Sequence, residues 1–479
     1  MVFRSLAKDS VIYGGADFLG KSISFFTFPI IAAALSPVSF GSLELVRTTT
    51  ALLGLVMNCG LNNSVQRYYW DLETNDRQRP VIVSSGLAAQ LAFGVLIFIL
   101  SLLAAPWILV EVRQANLPLS WIGLIAALFL MFFSKCLQFA LDVVRLQFTP
   151  LKFLLLTFLS HVLGILLAII VVVKLQGGID GLLSVQAFVA LSVLPLAFWM
   201  IRKDLTFKVD FNWVRELVSF GYPFIFAGLA YWLFGSIDRW MLATISSVKE
   251  TGLYSVAFRF SSVVLFVSAA FGKAWSPTSM KIRTDYPEKY RTIYAQVLLL
   301  LLFAMLTVGG LISLLSGEII SVMMPKEYAA SALPLTILCF GIILQATQQV
   351  TAIGISLEKK TFVFARLTWA TAAINLLLNW FLIPSYGAVG AAWATTISYL
   401  VLTGSFLYFT QQFHPLPIQW KRLLGLLGLV VIIAAVSIYF IADTFNWAVV
   451  TYKLLLAIIV LGTAYIALPL KSFRYASPK

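Results

Sequence analysis

Charge is scarce in this chain: only 11% of its 479 residues are Asp, Glu, Lys or Arg, where a soluble domain carries about a quarter. That shortage excludes a single water-exposed globule. Cysteine is scarcer still. Cys59, Cys136 and Cys339 all lie inside apolar runs, which leaves no disulfide framework and no thiolate metal site. His161 and His414 are too far apart in sequence to read as a metal pair. Long polar connections are missing too. The longest gaps between apolar runs are about fifteen residues, too short for a soluble domain. This disfavours a membrane enzyme that places catalytic groups on a large outer loop, such as a glycosyl polymerase or ligase.

What is present is apolar sequence: 60% hydrophobic residues and a mean hydropathy of +0.93. Within a bilayer only helices and closed barrels satisfy the backbone. The apolar runs far exceed the ~10 alternating residues of a barrel strand. The predicted fold is therefore an all-α integral membrane protein. Runs of spanning length fall near 10–33, 42–66, 80–108, 117–141, 154–173, 179–201, 217–245, 251–277, 293–316, 329–356, 362–384, 388–410, 423–442 and 447–468, about 14 transmembrane helices. Asp17 and Lys21 inside the first run argue against a cleaved signal peptide.

The net charge of +14 is set by where the bases lie, and it does not call for nucleic acid. The even-numbered connections are basic: Arg67, Arg77 and Arg79 in the second, Arg202, Lys203, Lys208 and Arg215 in the sixth, Lys281, Arg283, Lys289 and Arg291 in the eighth. The odd ones hold only Arg113, Lys174, Lys249 and Lys326. The positive-inside rule then places the even connections and both termini in the cytoplasm.

The two halves of the chain echo each other. "FGSLELV" at 40–46 matches "TGLYSVA" at 251–257 at an offset of 211, and "GGIDGLL" at 177–183 matches "YGAVGAA" at 386–392 at an offset of 209. A six-span repeat is even, so both copies cross the membrane in the same sense, and transporters built this way hold substrate between their repeats. The expected layout is a six-helix lobe at 1–208, a second at 209–412 and two additional helices at 413–479, with the repeats facing a central cleft.

A charge at mid-membrane costs about 2.5–3.5 kcal/mol on insertion scales, so the charges within spans are informative. Asp17 and Lys21 stand at i,i+4, and Glu44 and Arg47 at i,i+3, spacings that permit local pairing. Asp238 and Arg239 are adjacent and face different directions. Arg259 lies one residue from the repeat equivalent of Arg47, and Lys135 adds a further base. Lys453, near a span end, is expected to snorkel. If these spans line the cleft it is cationic on balance. That suits an anion, and arginine's planar fork favours phosphate. Asp238 is expected to bridge to Arg47 or Arg259.

"VSFGYPFIFAGLAYWLFGSIDRWMLATISSVKETGLYSVAFRFSSVVLFVSAAFGKAWSP", 218–277, resembles the seventh and eighth spans of bacterial polysaccharide flippases of the multidrug/oligosaccharidyl-lipid/polysaccharide superfamily, and "NLLLNWFLIPSYGAVGAAWATTISYLV", 375–401, resembles their eleventh and twelfth. The resemblance implies export of an oligosaccharide on undecaprenyl diphosphate from the inner to the outer leaflet of a bacterial inner membrane, beside the polymerases and glycosyltransferases of the same pathway. It implies a transporter and not an enzyme, without a cofactor, with Lys21, Arg47 and Arg259 on the diphosphate and Arg239 and Lys135 adding to the cationic lining. Asp17, Glu44 and Asp238 remain as gating or coupling acids, with H+, Na+ or the membrane potential all open as energy source. The rival within the superfamily is a cation-coupled drug or metabolite antiporter, which the basic surplus disfavours.

Overall fold

The computed structural model describes residue 20 and residues 22–71, 75–114, 117–358, 360–441 and 445–466; these are helical, with no strand among them. Nothing else is needed to satisfy the backbone of apolar segments in lipid. We label the helices α1 (Ser22–Ala33), α2 (Pro37–Tyr69), α3 (Arg79–Val110), α4 (Trp121–Leu146), α5 (Pro150–Lys174), α6 (Gly178–Asp204) and α7 (Phe211–Ser246). Then follow α8 (Val248–Ser261 and Val263–Asp285, bent by 40°), α9 (Tyr290–Leu314), α10 (Lys326–Leu357), α11 (Phe362–Phe413), α12 (Trp420–Tyr439) and α13 (Trp447–Ile466).

Ten of these helices are long and apolar enough to cross a membrane, eleven if the bent α8 counts as one span. By that measure the described residues do not reach fourteen. The reasons are local. α11 runs through the positions of the expected eleventh and twelfth spans as one element, broken only at Gly387 (φ 51, ψ −130). The apolar stretches Ser22–Ala33 and Trp447–Ile458 are short.

Breaks sit where the sequence places small or capping residues. α2 turns at Cys59 and Gly60, with φ of 47 and 68. A side chain on Gly60 would meet the Gly221 backbone oxygen, so the turn brings α2 hard against the start of α7. Ser36 caps α2 by accepting from Ser39 N, and Ser247 caps α8 by accepting from Glu250 N. The two caps are 211 residues apart, as the repeat requires. Gly178 and Gly387, matched at an offset of 209, both have positive φ (56 and 51).

The contacts divide the chain into two compact units, Met1–Ser236 and Ile237–Lys479. In the first, α4 packs along α6, and Met57, Leu61, Phe139, Val144, Leu156 and Ala197 form its core. In the second, α10 packs on α8, α9 and α11. Large apolar side chains such as Trp107, Phe226, Trp380 and Phe381 face outward. With lipid as the solvent, no water-driven cost attaches to that exposure.

Candidate functional site

In the second unit the site is built around Asp238, which is 2% exposed. Its carboxylate accepts from Tyr254 Oη at 2.6 Å, from Asn379 Nδ2 at 2.8 Å and from Thr395 Oγ1 at 3.0 Å. Tyr254 comes from α8, Asn379 from the first arm of α11 and Thr395 from the second. One carboxylate thus ties α7 to α8 and to both sides of the Gly387 break. Asn379 Nδ2 also reaches Asn375 Oδ1 at 3.1 Å. Beside the carboxylate, Asn379 Oδ1 and Asn375 Nδ2 are buried and make no hydrogen bond among the described residues. Just past Asp238 the helix widens into a π segment, Leu242–Ser246.

The three partners are neutral donors. Asp238 is held by hydroxyls and an amide where the expectation was an arginine of α2 or α8. The physical reason is local: Tyr254, Asn379 and Thr395 already fill the carboxylate's acceptor sites, and the neighbouring Arg239 sets its Nε on Ser255 Oγ at 3.3 Å and its guanidinium 4.8 Å from the Phe258 ring centre. At 7% exposure Arg239 faces protein. Arg259 is half-buried in the last turn before the α8 bend.

In the first unit, Arg47 Nη1 lies 3.1 Å from Glu44 Oε1, with side-chain exposures of 31% and 10%. The i,i+3 pairing expected from the sequence is present. Lys135 of α4 lies across Gly54 of α2: a β-carbon on Gly54 would sit inside contact distance of the lysine Cε. Asp17 and Lys21 lie outside the described residues. Lys453 departs from expectation. It does not snorkel; it is 1% exposed and its Nζ is 2.7 Å from Glu318 Oε1, a carboxylate on the short helix Ser316–Met323. A lysine with a buried acid in reach pairs with it in preference to stretching to the interface.

The sequence reading missed Tyr254, Asn375, Asn379 and Thr395. The available signal was Asn375 and Asn379 at i,i+4 within an apolar span, which puts two amides on one helix face. Among the described residues no group of three or more His, Cys, Asp or Glu gathers to hold a metal.

Ten or more helices of spanning length, with charges buried among them, define a multi-pass helical membrane protein. The fold agrees. A structure of the lipid II flippase MurJ, in an inward closed conformation, matches with a TM-score of 0.74 at 15% identity over 95% of this chain and 98% of that one. An inward-facing multidrug resistance MATE transporter of the MOP superfamily matches at 0.59, with 15% identity over 88% and 96%. Residues 6–283 match the polysaccharide biosynthesis protein family, and the chain belongs to it. Relatives include a probable low-salt glycan biosynthesis flippase, Agl15, of Haloferax volcanii (22% identical over 52% of this chain and 53% of that protein). A capsular polysaccharide biosynthesis protein, CapF, of Staphylococcus aureus is 24% identical over 45% of this chain and 55% of its own length. The chain thus spans little more than half the length of these curated relatives.

Proposed function

We propose that this protein is a flippase for lipid-linked oligosaccharide, carried on undecaprenyl diphosphate and moved from the inner to the outer leaflet for surface polysaccharide synthesis. It works by alternating access and carries no chemistry of its own. Arg47 and Lys135, basic residues at membrane depth in the first unit, meet the diphosphate. The observation that carries the reading is Arg47: its side chain is 31% exposed and, among the described residues, its ion-pair partner is Glu44. An arginine fork so placed can take a phosphate without first being unburied. The family membership and the flippase relative support the substrate class.

Asp238 is the coupling acid, exchanging H+ or Na+ with each cycle. Its position supports this: a carboxylate that joins three helical segments changes their packing whenever its charge is neutralised. The cell membrane is the site of action, with both termini in the cytoplasm and the polymerase and glycosyltransferases of the pathway as neighbours.

The test is transport of fluorescent lipid-linked oligosaccharide to the outer leaflet of proteoliposomes holding the purified chain. Export of the lipid is expected, and export of a cationic dye in its place overturns the reading in favour of an antiporter. The orientation has its own test. A single cysteine at exposed Ser36 is expected to label from outside intact cells, and one at exposed Thr284 only from inside. The reverse pattern inverts the direction of export.

A further inference from the structure

The first unit holds an unused polar stripe. Three oxygens there are buried and accept no hydrogen bond from the described residues: Asn58 Oδ1, Asn62 Oδ1 and Gln90 Oε1. Gln90 is 1% exposed, and its Nε2 donates to the Lys135 backbone carbonyl at 2.9 Å, which holds its amide against α4 at that residue. Two contacts fix the register of α2 on α4. Lys135 lies on Gly54. Two turns along α4 from Lys135, Asp142 accepts from Asn62 Nδ2, which lies past the Cys59–Gly60 turn of α2, and from Gln138 Nε2 at 3.0 Å. Asn58 lies between these contacts on α2, one turn past Gly54. Lys135, whose stem lies on Gly54 one turn before Asn58 and whose carbonyl holds Gln90, brings to this region an ammonium with three N–H donors. Its chain takes the Gly54 slot, and no hydrogen bond or ion pair to the ammonium is found among the described residues.

We propose that Lys135 is a two-position cation: seated over Gly54 it presents its ammonium to the anionic head of the substrate, and after release it turns one helical turn onto the oxygens of Asn58 and Gln90. The proposal rests on the diphosphate reading above. Each position solves a different problem. A lysine stem is long and flexible enough to step between sites a turn apart. Buried amide oxygens without donors are unfavourable, and so is a cation at membrane depth without acceptors. Turning the ammonium onto Asn58 and Gln90 relieves both, and a diphosphate relieves the cation alone. The two positions therefore compete, and the substrate must draw the lysine away from the amides. Gly54 makes the upper position available, because any side chain there would occupy the path of the lysine Cδ and Cε. Asn58 and Gln90 act as positioning residues through Lys135 and touch no substrate.

The test uses the full chain in nanodiscs, with undecaprenyl diphosphate as probe. Asn58→Asp puts a carboxylate at the lower position. It is expected to raise the thermal midpoint when Lys135 is present and to lower it in Lys135→Met. The same Asn58→Asp change is expected to weaken undecaprenyl diphosphate binding about tenfold by holding the ammonium, and to weaken it no further in Lys135→Met. Gly54→Ala, which changes no charge, is expected to weaken binding as well. If Asn58→Asp shifts the thermal midpoint equally with Lys135 and with Met, the ammonium never reaches Asn58 and the proposal falls. If the midpoints couple but Lys135→Met binds undecaprenyl diphosphate as tightly as the unmodified chain, the exchange with a diphosphate is overturned. If Lys135→Met weakens binding but Asn58→Asp does not, the diphosphate contact stands and the second position is overturned; if Gly54→Ala does not weaken it, the seat over Gly54 is overturned.

Discussion

Asn379 donates its side-chain amide to the Asp238 carboxylate at 2.8 Å across 141 residues of sequence. That bond joins α7 to the first arm of α11, and the Thr395 hydroxyl joins the same carboxylate to the second arm. Gly387, between the arms, takes a backbone conformation that L side chains rarely adopt. Ala388, which follows it, donates its N–H to Glu250 at 2.8 Å, so the break is clamped on the α8 side as well. A carboxylate set between two arms of a broken helix can read out its own charge as a change in their angle.

Asp238→Asn is therefore expected to abolish coupling while leaving the fold. The amide keeps one acceptor for Tyr254, Asn379 and Thr395 but brings a donor among donors. Flipping should fall at least about tenfold and lose its response to a Na+ or H+ gradient. Asp238→Ala removes the acceptor altogether and should destabilise by roughly 2–5 kcal/mol. Flipping by Asp238→Asn that still follows the gradient would remove Asp238 from coupling.

If Arg47 takes the diphosphate as proposed, Glu44 competes with that anion for it. Glu44→Gln removes the ion pair and leaves the guanidinium in place, so undecaprenyl diphosphate should bind severalfold tighter. Arg47→Ala should weaken binding by about tenfold or more. Arg47→Lys should lie between, since charge survives and the fork is lost. Titration of the three variants in detergent decides it, and equal affinities would exclude Arg47 from the site.

His414 sets a pH dependence outside the spans. It follows the last turn of α11, 3% exposed, with Nδ1 3.2 Å from Glu358 Oε1 and its ring on Tyr290. Burial pushes its pKa below the ordinary 6.5; the bond to Glu358 opposes this, and the charges of Arg283 and Arg291 add to the lowering. In the unfolded chain the imidazole titrates at its ordinary value. As pH falls through about 6.5 the unfolded state takes up its proton first, so folded stability declines in that window. The thermal midpoint should drop between pH 7 and 5, and His414→Gln should flatten that drop. An unchanged slope would rule out His414 as its source.

The apolar runs made the spans legible, and the "PSYGAVG" stretch at 384–390 marked the break now seen at Gly387. Glu44 and Arg47 were legible because their partner lies within one turn. The cluster around Asp238 was not, since Tyr254, Asn379 and Thr395 reach it from 16, 141 and 157 residues away. No periodicity in a span states which neighbour it will pack against. The same limit misplaced Lys453. Proximity to a span end suggested an interfacial lysine, while its acid, 135 residues earlier, is known only from the packing of α13.

That buried pair gives a prediction independent of transport. Glu318 and Lys453 are both below 5% exposed, and Glu318 Oε2 accepts no hydrogen bond among the described residues. Two charges removed from solvent are held by one contact of 2.7 Å. Removing one partner leaves the other buried and uncompensated, which typically costs about 3–5 kcal/mol. Replacing both with apolar residues of similar volume removes the desolvation cost along with the attraction, and is often neutral or stabilising. Lys453→Met alone should therefore lower stability markedly, and Glu318→Gln alone should do so less, because the amide oxygen still accepts from the ammonium. The double variant Glu318→Leu with Lys453→Met should recover most of the loss. α13 needs no charge to dock if its other contacts are apolar, and it packs on α9 and α12 through side chains such as Leu456 and Ala457. The measurement is a double-mutant cycle on the thermal midpoint in detergent. If the double variant is as unstable as the sum of the single changes, the pair is not what each charge depends on.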